Sequence, residues 1–390
     1  MWKRNMLFCA LLELFYDLLG LAKVVLKKGK TQVFKDGNPM VYSGAVDRII
    51  GRPPPKTGDV VLVADGLERT IGWGLYNSVS MFCVRLMQLE EEVTKDPSYA
   101  LNMEKLLEAR LYDAINLRRS MGLPSPDTNA YRLVNSEGDR LSGLIVDVFG
   151  DVAVIASSAA WVEKYKQEIE FLVGGVRDVL ENGICYLVSL DGQKTGFYAD
   201  QRDSRLLVSS ISRDRTVLDV CCYSGGFALN AALGGASNVL GIDSSLPALE
   251  LAKENISLNK LDPGKISFVR EDATAFMKSA AARDESWDIV ILDPPKLAPR
   301  RKVLQSASGM YRNLNSLAMQ ITKKGGLLMT CSCSGAMTQS GSFLHILQGA
   351  ASSARRRITV LRQAGASCDH PIDPAYPEGG YLTNILLRVL

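Results

Sequence analysis

Histidine is almost absent from this chain. Only His345 and His370 occur in 390 residues, so a histidine-based metal centre and a Ser-His-Asp triad are poor expectations, and no metal is assigned. Cysteine is present but unpatterned. Cys9, Cys83, Cys185, Cys221, Cys222, Cys331, Cys333 and Cys368 contain no Cys-x-x-Cys pair. In so long a chain this reads as reduced thiols in an intracellular protein, cytoplasmic or organellar, and not as a secreted disulfide scaffold. Charge of one sign is lacking too: 45 Lys+Arg against 42 Asp+Glu leave +3, so any contact with nucleic acid must rest on local clusters. A membrane-spanning helix needs roughly eighteen or more apolar residues. The apolar run at residues 6–12 is ended by Glu13 and Asp17. Residues 1–21 are therefore read as an atypical N-terminal segment, neither membrane anchor nor signal or transit peptide.

What is present is ordinary for a globular protein: 47% hydrophobic and 22% charged residues, with length for two or three domains. Short strand signals appear at residues 22–26, 32–34, 40–42, 59–64 and 82–87, with turn residues between them and Gly72-Trp73-Gly74 separating the last two. Lys23, Lys27, Lys28, Lys30, Lys35, Arg48, Arg52 and Lys56 far outnumber Asp36 and Asp47 here. A small basic β-barrel over residues 22–100 is expected, its charge suited to RNA phosphates or simply solvated. Residues 101–192 read as a separate, small α/β layer. Helical spacing covers 101–121 and 162–172, and strand patterns cover 131–134, 141–148, 152–156 and 184–190. It holds no cluster of chemically useful residues, so a connecting or substrate-shaping role is expected.

From residue 193 to 390 strands and helices alternate, the pattern of a parallel sheet with crossover helices. Strands are expected at 216–220, 238–242, 266–269, 289–292 and 327–331, and helices at 226–233, 247–259, 273–282 and 309–321. Four motifs fall at the expected strand ends. Asp219-Val220 leads into Cys221-Cys222-Tyr223-Ser224-Gly225-Gly226-Phe227, a glycine-containing turn and helix start that lacks the G-x-G-x-x-G of dinucleotide folds. Asp243 closes the next strand, where an acid can bind ribose hydroxyls. Glu271-Asp272-Ala273 follows the third, where an acid can reach an exocyclic amine. Asp293-Pro294-Pro295-Lys296 follows the fourth, and the prolines there build a rigid loop. Together these look like a class I S-adenosylmethionine-dependent methyltransferase.

A fifth strand end reads Cys331-Ser332-Cys333-Ser334-Gly335. Carbon 5 of a pyrimidine is not nucleophilic until a thiolate adds at carbon 6, so a cysteine beside the methyl donor supplies what that covalent route requires. As an isolated Cys-x-Cys the pair is more often small packing residues.

Several further stretches carry a resemblance: Val46-Asp47-Arg48, Gly143-Leu144-Ile145-Val146-Asp147, Lys194-Thr195-Gly196-Phe197-Tyr198-Ala199-Asp200-Gln201-Arg202-Asp203, Ser332-Cys333-Ser334-Gly335 and Tyr376-Pro377-Glu378-Gly379. With the motifs above, the chain from about Ala22 to Leu390 resembles the bacterial ribosomal RNA large subunit methyltransferase I family, which makes 5-methylcytosine in 23S rRNA. The resemblance implies an α/β fold: a C-terminal Rossmann-like class I methyltransferase domain, an N-terminal PUA-like β-barrel and a small central α/β domain. It implies S-adenosylmethionine as cofactor and ribosomal RNA as partner, with no membrane or metal; the oligomeric state stays open, a homodimer included. It puts the nucleophile on Cys333, with Asp293 hydrogen-bonding the target ring. Cofactor contacts are expected from Gln201, Arg202, Asp219, Tyr223, Ser224, Gly225, Gly226, Phe227, Asp243, Ser244, Asp272, Ala273, Asp293 and Pro294. Substrate contacts are expected from Lys194, Pro295, Lys296, Arg300, Arg301 and Lys302. The chain departs from the family in a central domain that reads as shortened near residues 173–176. Two other readings stand beside this one: methylation of a guanine or an exocyclic amine, with Cys333 structural, and a non-catalytic RNA-binding protein with a decayed site.

Overall fold

The computed structural model describes residues 16, 19–166, 169, 179–187 and 197–390. Lys194, most of residues 1–21, the segment near 173–176 and the end of the strand expected over 184–190 lie outside them.

The N-terminal unit is one six-stranded sheet. Its strands are β1 (Lys23–Leu26), β2 (Met40–Tyr42), β3 (Val46–Ile50), β4 (Val60–Ala64), β5 (Thr70–Tyr76) and β6 (Phe82–Leu89), in the spatial order β2-β6-β5-β4-β1-β3. Val24, Leu26, Val61, Val63, Ile71 and Val84 fill its core. Two expectations are corrected. Residues 32–34 form a helical turn, α1 (Gln32–Lys35), because three residues with one buried side chain, Phe34, do not separate strand from helix. Gly72-Trp73-Gly74 lies inside β5: a Cβ on Gly72 or Gly74 would come within 2.4 Å or 2.2 Å of the Gln88 or Arg85 carbonyl oxygen on β6. These glycines bring the two strands together.

The central unit carries α2 (Glu90–Lys95), α3 (Met103–Ser120), the meander β7 (Ala130–Asn135), β8 (Leu144–Phe149) and β9 (Val152–Ser157), then α4 (Ala160–Lys164) and the hairpin β10 (Val179–Glu181) and β11 (Ile184–Tyr186). Its core is continuous with Leu62, Trp73, Leu75 and Met87 of the first unit.

The C-terminal unit opens with α5 (Arg202–Ile211) and then alternates: β12 (Thr216–Val220), α6 (Gly226–Leu233), β13 (Asn238–Asp243), α7 (Leu246–Leu258), β14 (Ile266–Arg270), α8 (Ala273–Ala282), β15 (Trp287–Leu292), α9 (Leu304–Gln320) and β16 (Thr322–Ser332). After α10 (Gly335–Ser340) and α11 (Phe343–Ser353) the chain returns through β17 (Ile358–Ala364) and β18 (Thr383–Val389), two strands with no counterpart in the sequence reading. The sheet runs β14-β13-β12-β15-β16-β18-β17, with β18 antiparallel to both neighbours and the other pairs parallel. Odd positions such as Val217, Ile289, Ile291, Met329 and Cys331 face one layer. Even positions such as Leu218, Val290, Leu292 and Leu328 face the other, which contains Tyr311 of α9. Strand order reverses between β12 and β15, and ligands of open α/β sheets bind at the carboxyl ends flanking such a reversal.

One buried acid ties the central unit to the C-terminal one. Asp369 accepts from both Arg202 terminal nitrogens (2.7 and 3.0 Å) and from the Arg132 N–H of β7 (2.8 Å), while Arg118 of α3 donates to its carbonyl. A second buried pair, Arg205 with Glu181 at 2.7 Å, joins α5 to β10.

Candidate active site

The carboxyl ends of β12 and β15 meet where the Asp293 N–H donates to the Val220 carbonyl at 3.2 Å. The turn between β12 and α6 is shaped by left-handed residues, Cys221 (φ 64°), Tyr223 (φ 50°) and Gly225 (φ 85°). At Gly225 the requirement is double, since a Cβ would also lie 2.8 Å from the Phe268 ring. Asp243 fastens this turn from β13: its carboxylate accepts from the Tyr223 N–H (2.9 Å) and the Ser245 N–H (2.8 Å). Ser224 and Gly225 are buried, and Gly226 begins α6, so backbone N–H groups are presented at the sheet's edge.

Asp219 is fully buried. One carboxyl oxygen accepts from the Ala228 N–H at 3.0 Å; the other, Oδ1, has no hydrogen-bond partner among the described residues. Burial first, then the neighbouring Asp293 and Asp243 charges, push its carboxyl up to about 8. An unsatisfied buried acid among like charges is suited to a cationic ligand, and S-adenosylmethionine carries both a sulfonium and an ammonium. The donor set fits that group. When bound it would supply an electrophilic methyl, and Asp219, Asp243 and the 221–226 turn are the residues that would hold it. Asp272 caps α8, accepting from the Ala275 N–H at 2.9 Å, and is exposed beside Ala273. Ser244 is exposed, and its carbonyl accepts from Arg270.

Cys333 follows the last residue of β16. Ser332 and Ser334 on either side turn to the opposite face, where both meet the buried Tyr311 hydroxyl (2.9 and 3.1 Å), and Ser334 also accepts from the Ala298 N–H. Cys333 is thereby directed to the Asp219 face, its sulfur 3.9 Å from the Pro294 carbonyl oxygen and half-buried. Cys331, two residues earlier on that face, is fully buried, and burial raises its thiol well above the ordinary range. Asp293 accepts from Gln201 (3.2 Å), whose other amide atom is held by Asn384 of β18 (2.9 Å). Tyr198 completes the group, packed edge-to-face on Tyr223 at 5.4 Å, its hydroxyl pushed up by burial and by Tyr223, Asp200, Cys333 and Asp293.

Most of the expected residues converge here: Gln201, Asp219, Tyr223, Ser224, Gly225, Gly226, Phe227, Asp243, Asp293, Pro294 and Cys333. Phe227 does so from within the core. Arg202 does not. Its guanidinium is buried against Asp369 and the Ala130 carbonyl, so in this structure it joins units. Pro295, Lys296, Arg300, Arg301 and Lys302 form an exposed rim after β15, with Arg301 touching Gln339 of α10. Tyr311, Asn384 and Asp369 went unmarked in the sequence. Each acts across more than twenty residues, and a hydroxyl, an amide or an acid on a remote element leaves no local pattern.

Comparison with known proteins agrees with this geometry. Residues 162–375 match the S-adenosylmethionine-dependent methyltransferase family model, and residues 24–89 match a PUA-like domain. In fold, the chain superimposes with a TM-score of 0.79 on a protein of Streptococcus mutans described as a SAM-dependent methyltransferase, at 21% identity over 94% of this chain and 99% of that one. A second methyltransferase structure, complexed with SAH, gives 0.78 at 22% identity over the same shares. Ribosomal RNA large subunit methyltransferase I of Escherichia coli and that of Shigella boydii are each 32% identical over 404 residues, covering 94% of this chain and 99% of theirs. With that identity over nearly its whole length, on a sheet whose switch point is built for a methyl donor, the chain is an S-adenosylmethionine-dependent methyltransferase and belongs to the ribosomal RNA large subunit methyltransferase I family.

Proposed function

We propose that the protein methylates carbon 5 of a cytosine in large-subunit ribosomal RNA, through a covalent bond from Cys333. The observation that carries this reading is the Cys333 sulfur, held 3.9 Å from the Pro294 carbonyl oxygen on the loop that begins with Asp293. A methyltransferase acting on an exocyclic nitrogen has no use for a thiol there; carbon methylation of a pyrimidine does.

The target base leaves its stack to enter the site. The Cys333 thiolate adds to carbon 6, forming the S–C bond and moving the ring's electron pair toward carbon 5. Asp293 in its protonated form, fixed through Gln201 and Asn384, donates its proton to N3 as charge reaches it and takes it back when the ring's double bond is restored, and Pro294 and Pro295 fix the ring's plane. Carbon 5 then takes the methyl group that the cofactor supplies. Loss of the carbon 5 proton to a base restores the double bond and expels the thiolate. Lys296, Arg300, Arg301 and Lys302 on the rim, with Lys194 and the excess of Lys and Arg over residues 23–56, grip phosphates.

The test is mass analysis of nucleosides from large-subunit RNA incubated with protein and S-adenosylmethionine. 5-Methylcytidine is expected. An N-methylated guanosine or cytidine as sole product, or no methylated nucleoside at all, refutes the reading.

A further inference from the structure

Charge is segregated along the C-terminal unit. Residues 243–293 hold ten Asp and Glu against six Lys and Arg, whereas residues 294–368 hold eleven Lys and Arg and no Asp or Glu. The sheet order sends the strands of these stretches apart: β13 and β14 lie toward one edge, β16 and β17 toward the other. Of the eleven cations only Lys323 is held by a carboxylate among the described residues, Asp288 at 2.9 Å. A chain that nearly cancels its charge overall thus presents one sign over this part of its methyltransferase unit. Like charges so collected repel one another, and a polyanion laid across them relieves that repulsion.

Several of these cations are strung along one helix. Arg300, Arg301 and Lys302, on the rim of the candidate active site, stand just before α9 and are exposed. Arg312, also exposed, sits midway along α9 and leans over α11: a Cβ on Gly349 would lie 3.0 Å from its Nε. Arg356, after α11, donates to the Gln320 and Thr322 carbonyls (3.4 and 3.2 Å) and so marks the far end of α9. Arg355 precedes it and is exposed. With 17 residues α9 is about 25 Å long, and the cations span that length. Arg356 has a structural role there, meeting carbonyls left over at a helix end. The side chains of Arg312 and Arg355 have no hydrogen-bond or ion-pair partner among the described residues.

We infer that the outer surface of α9 and α11 is a phosphate track for the RNA substrate, carrying the chain that flanks the target nucleotide away from the rim, with Arg312 and Arg355 as its contacts beyond that rim. Continuity and sign select the partner. The track begins at residues that border the site itself, and the polyanion brought to that site is RNA. Contacts of this kind fix the register and orientation of the RNA and carry no sequence information. The inference rests on RNA being the substrate but not on which atom is methylated.

The experiment is filter binding of the full chain to protein-free large-subunit ribosomal RNA over a series of KCl concentrations. Arg312→Gln combined with Arg355→Gln should weaken binding about tenfold at ~0.15 M salt and lower the slope of log K against log salt by about 2, one for each lost phosphate contact. Arg355→Gln alone, at an exposed position, should lower it by about 1 and serves if the pair misfolds. Arg312→Lys with Arg355→Lys keeps both charges and should keep the slope, which separates phosphate contact from a packing role. Arg362→Gln with Arg388→Gln removes as many charges from the other face of the sheet, since Arg362 pairs with Leu386 and Arg388 lies two residues further along the same strand face, in the layer of α5 to α7. That pair should leave affinity and slope unchanged. S-adenosylmethionine binding by calorimetry should be unaltered in every variant. Equal losses in the two Gln pairs, no loss in the first, or a slope lost in the Lys pair overturns the inference. A product other than 5-methylcytidine would overturn the proposed reaction and leave these slopes as they are.

Discussion

The sulfur of Cys333 lies 3.9 Å from the carbonyl oxygen of Pro294. Two strands that are neighbours in the sheet but forty residues apart in sequence deliver these atoms to one point. The Ser332 and Ser334 anchors to Tyr311 decide which way the cysteine turns. Chemistry at the site follows from that placement.

Cys333→Ala should lower methyl transfer by at least ~10³-fold while S-adenosylmethionine binding, read by calorimetry, stays within about threefold. Cys331→Ala should keep most of the activity and lose about 1 kcal/mol of stability in thermal melts, as removal of a small buried group does. The reverse ranking would assign the chemistry to the wrong sulfur.

Tyr311→Phe removes the hydroxyl shared by two buried serines. Stability should fall by about 1–3 kcal/mol, and kcat by about tenfold, with cofactor affinity unchanged. Unaltered turnover in a folded variant would show that the serines alone aim Cys333.

Asp219 gives a pH signature. Its folded carboxyl stands at about 8, against an unfolded value near 3.9. A group raised on folding contributes stability that is complete below the unfolded value and is lost as pH rises through the folded one. Asp219→Asn, permanently neutral, should therefore be more stable than the ligand-free wild type by a margin that grows between about pH 4 and 8. It should bind S-adenosylmethionine at least tenfold more weakly. In the wild type, binding near pH 7 should release a proton, seen as a buffer-dependent calorimetric enthalpy. A margin that does not change with pH would contradict the assignment.

Arg202→Met leaves Asp369 buried without its guanidinium. A loss of about 3–5 kcal/mol is expected, detected by urea denaturation, while the folded fraction retains wild-type cofactor affinity. A selective loss of affinity without a loss of stability would return Arg202 to the cofactor site.

The parallel sheet was legible because its strands are buried on both faces and read as continuous apolar runs, Val217 to Val220 and Ile289 to Leu292 among them. The site was legible where its residues sit directly at those strand ends, as Asp219, Asp243 and Asp293 do. The sequence left no mark where only tertiary contact assigns a partner. Arg202 lies beside Gln201, yet the two point to Asp369 and Asp293 respectively, a divergence set by one residue's rotation at the start of α5. β17 is an exposed edge strand that carries little hydrophobic alternation, so its pairing with β18 had no sequence mark. Asp369 carried no sequence mark because its partners, Arg118, Arg132 and Arg202, are all remote in the chain.

The most direct measurement is covalent trapping. Large-subunit RNA substituted with 5-fluorocytidine is incubated with protein and S-adenosylmethionine, and the adduct is mapped by peptide mass analysis. Fluorine at carbon 5 cannot leave as a proton does, so the account predicts a stable protein–RNA bond on Cys333, absent in Cys333→Ala. Methylation of the unsubstituted RNA without any adduct, or an adduct on a different residue, would contradict it.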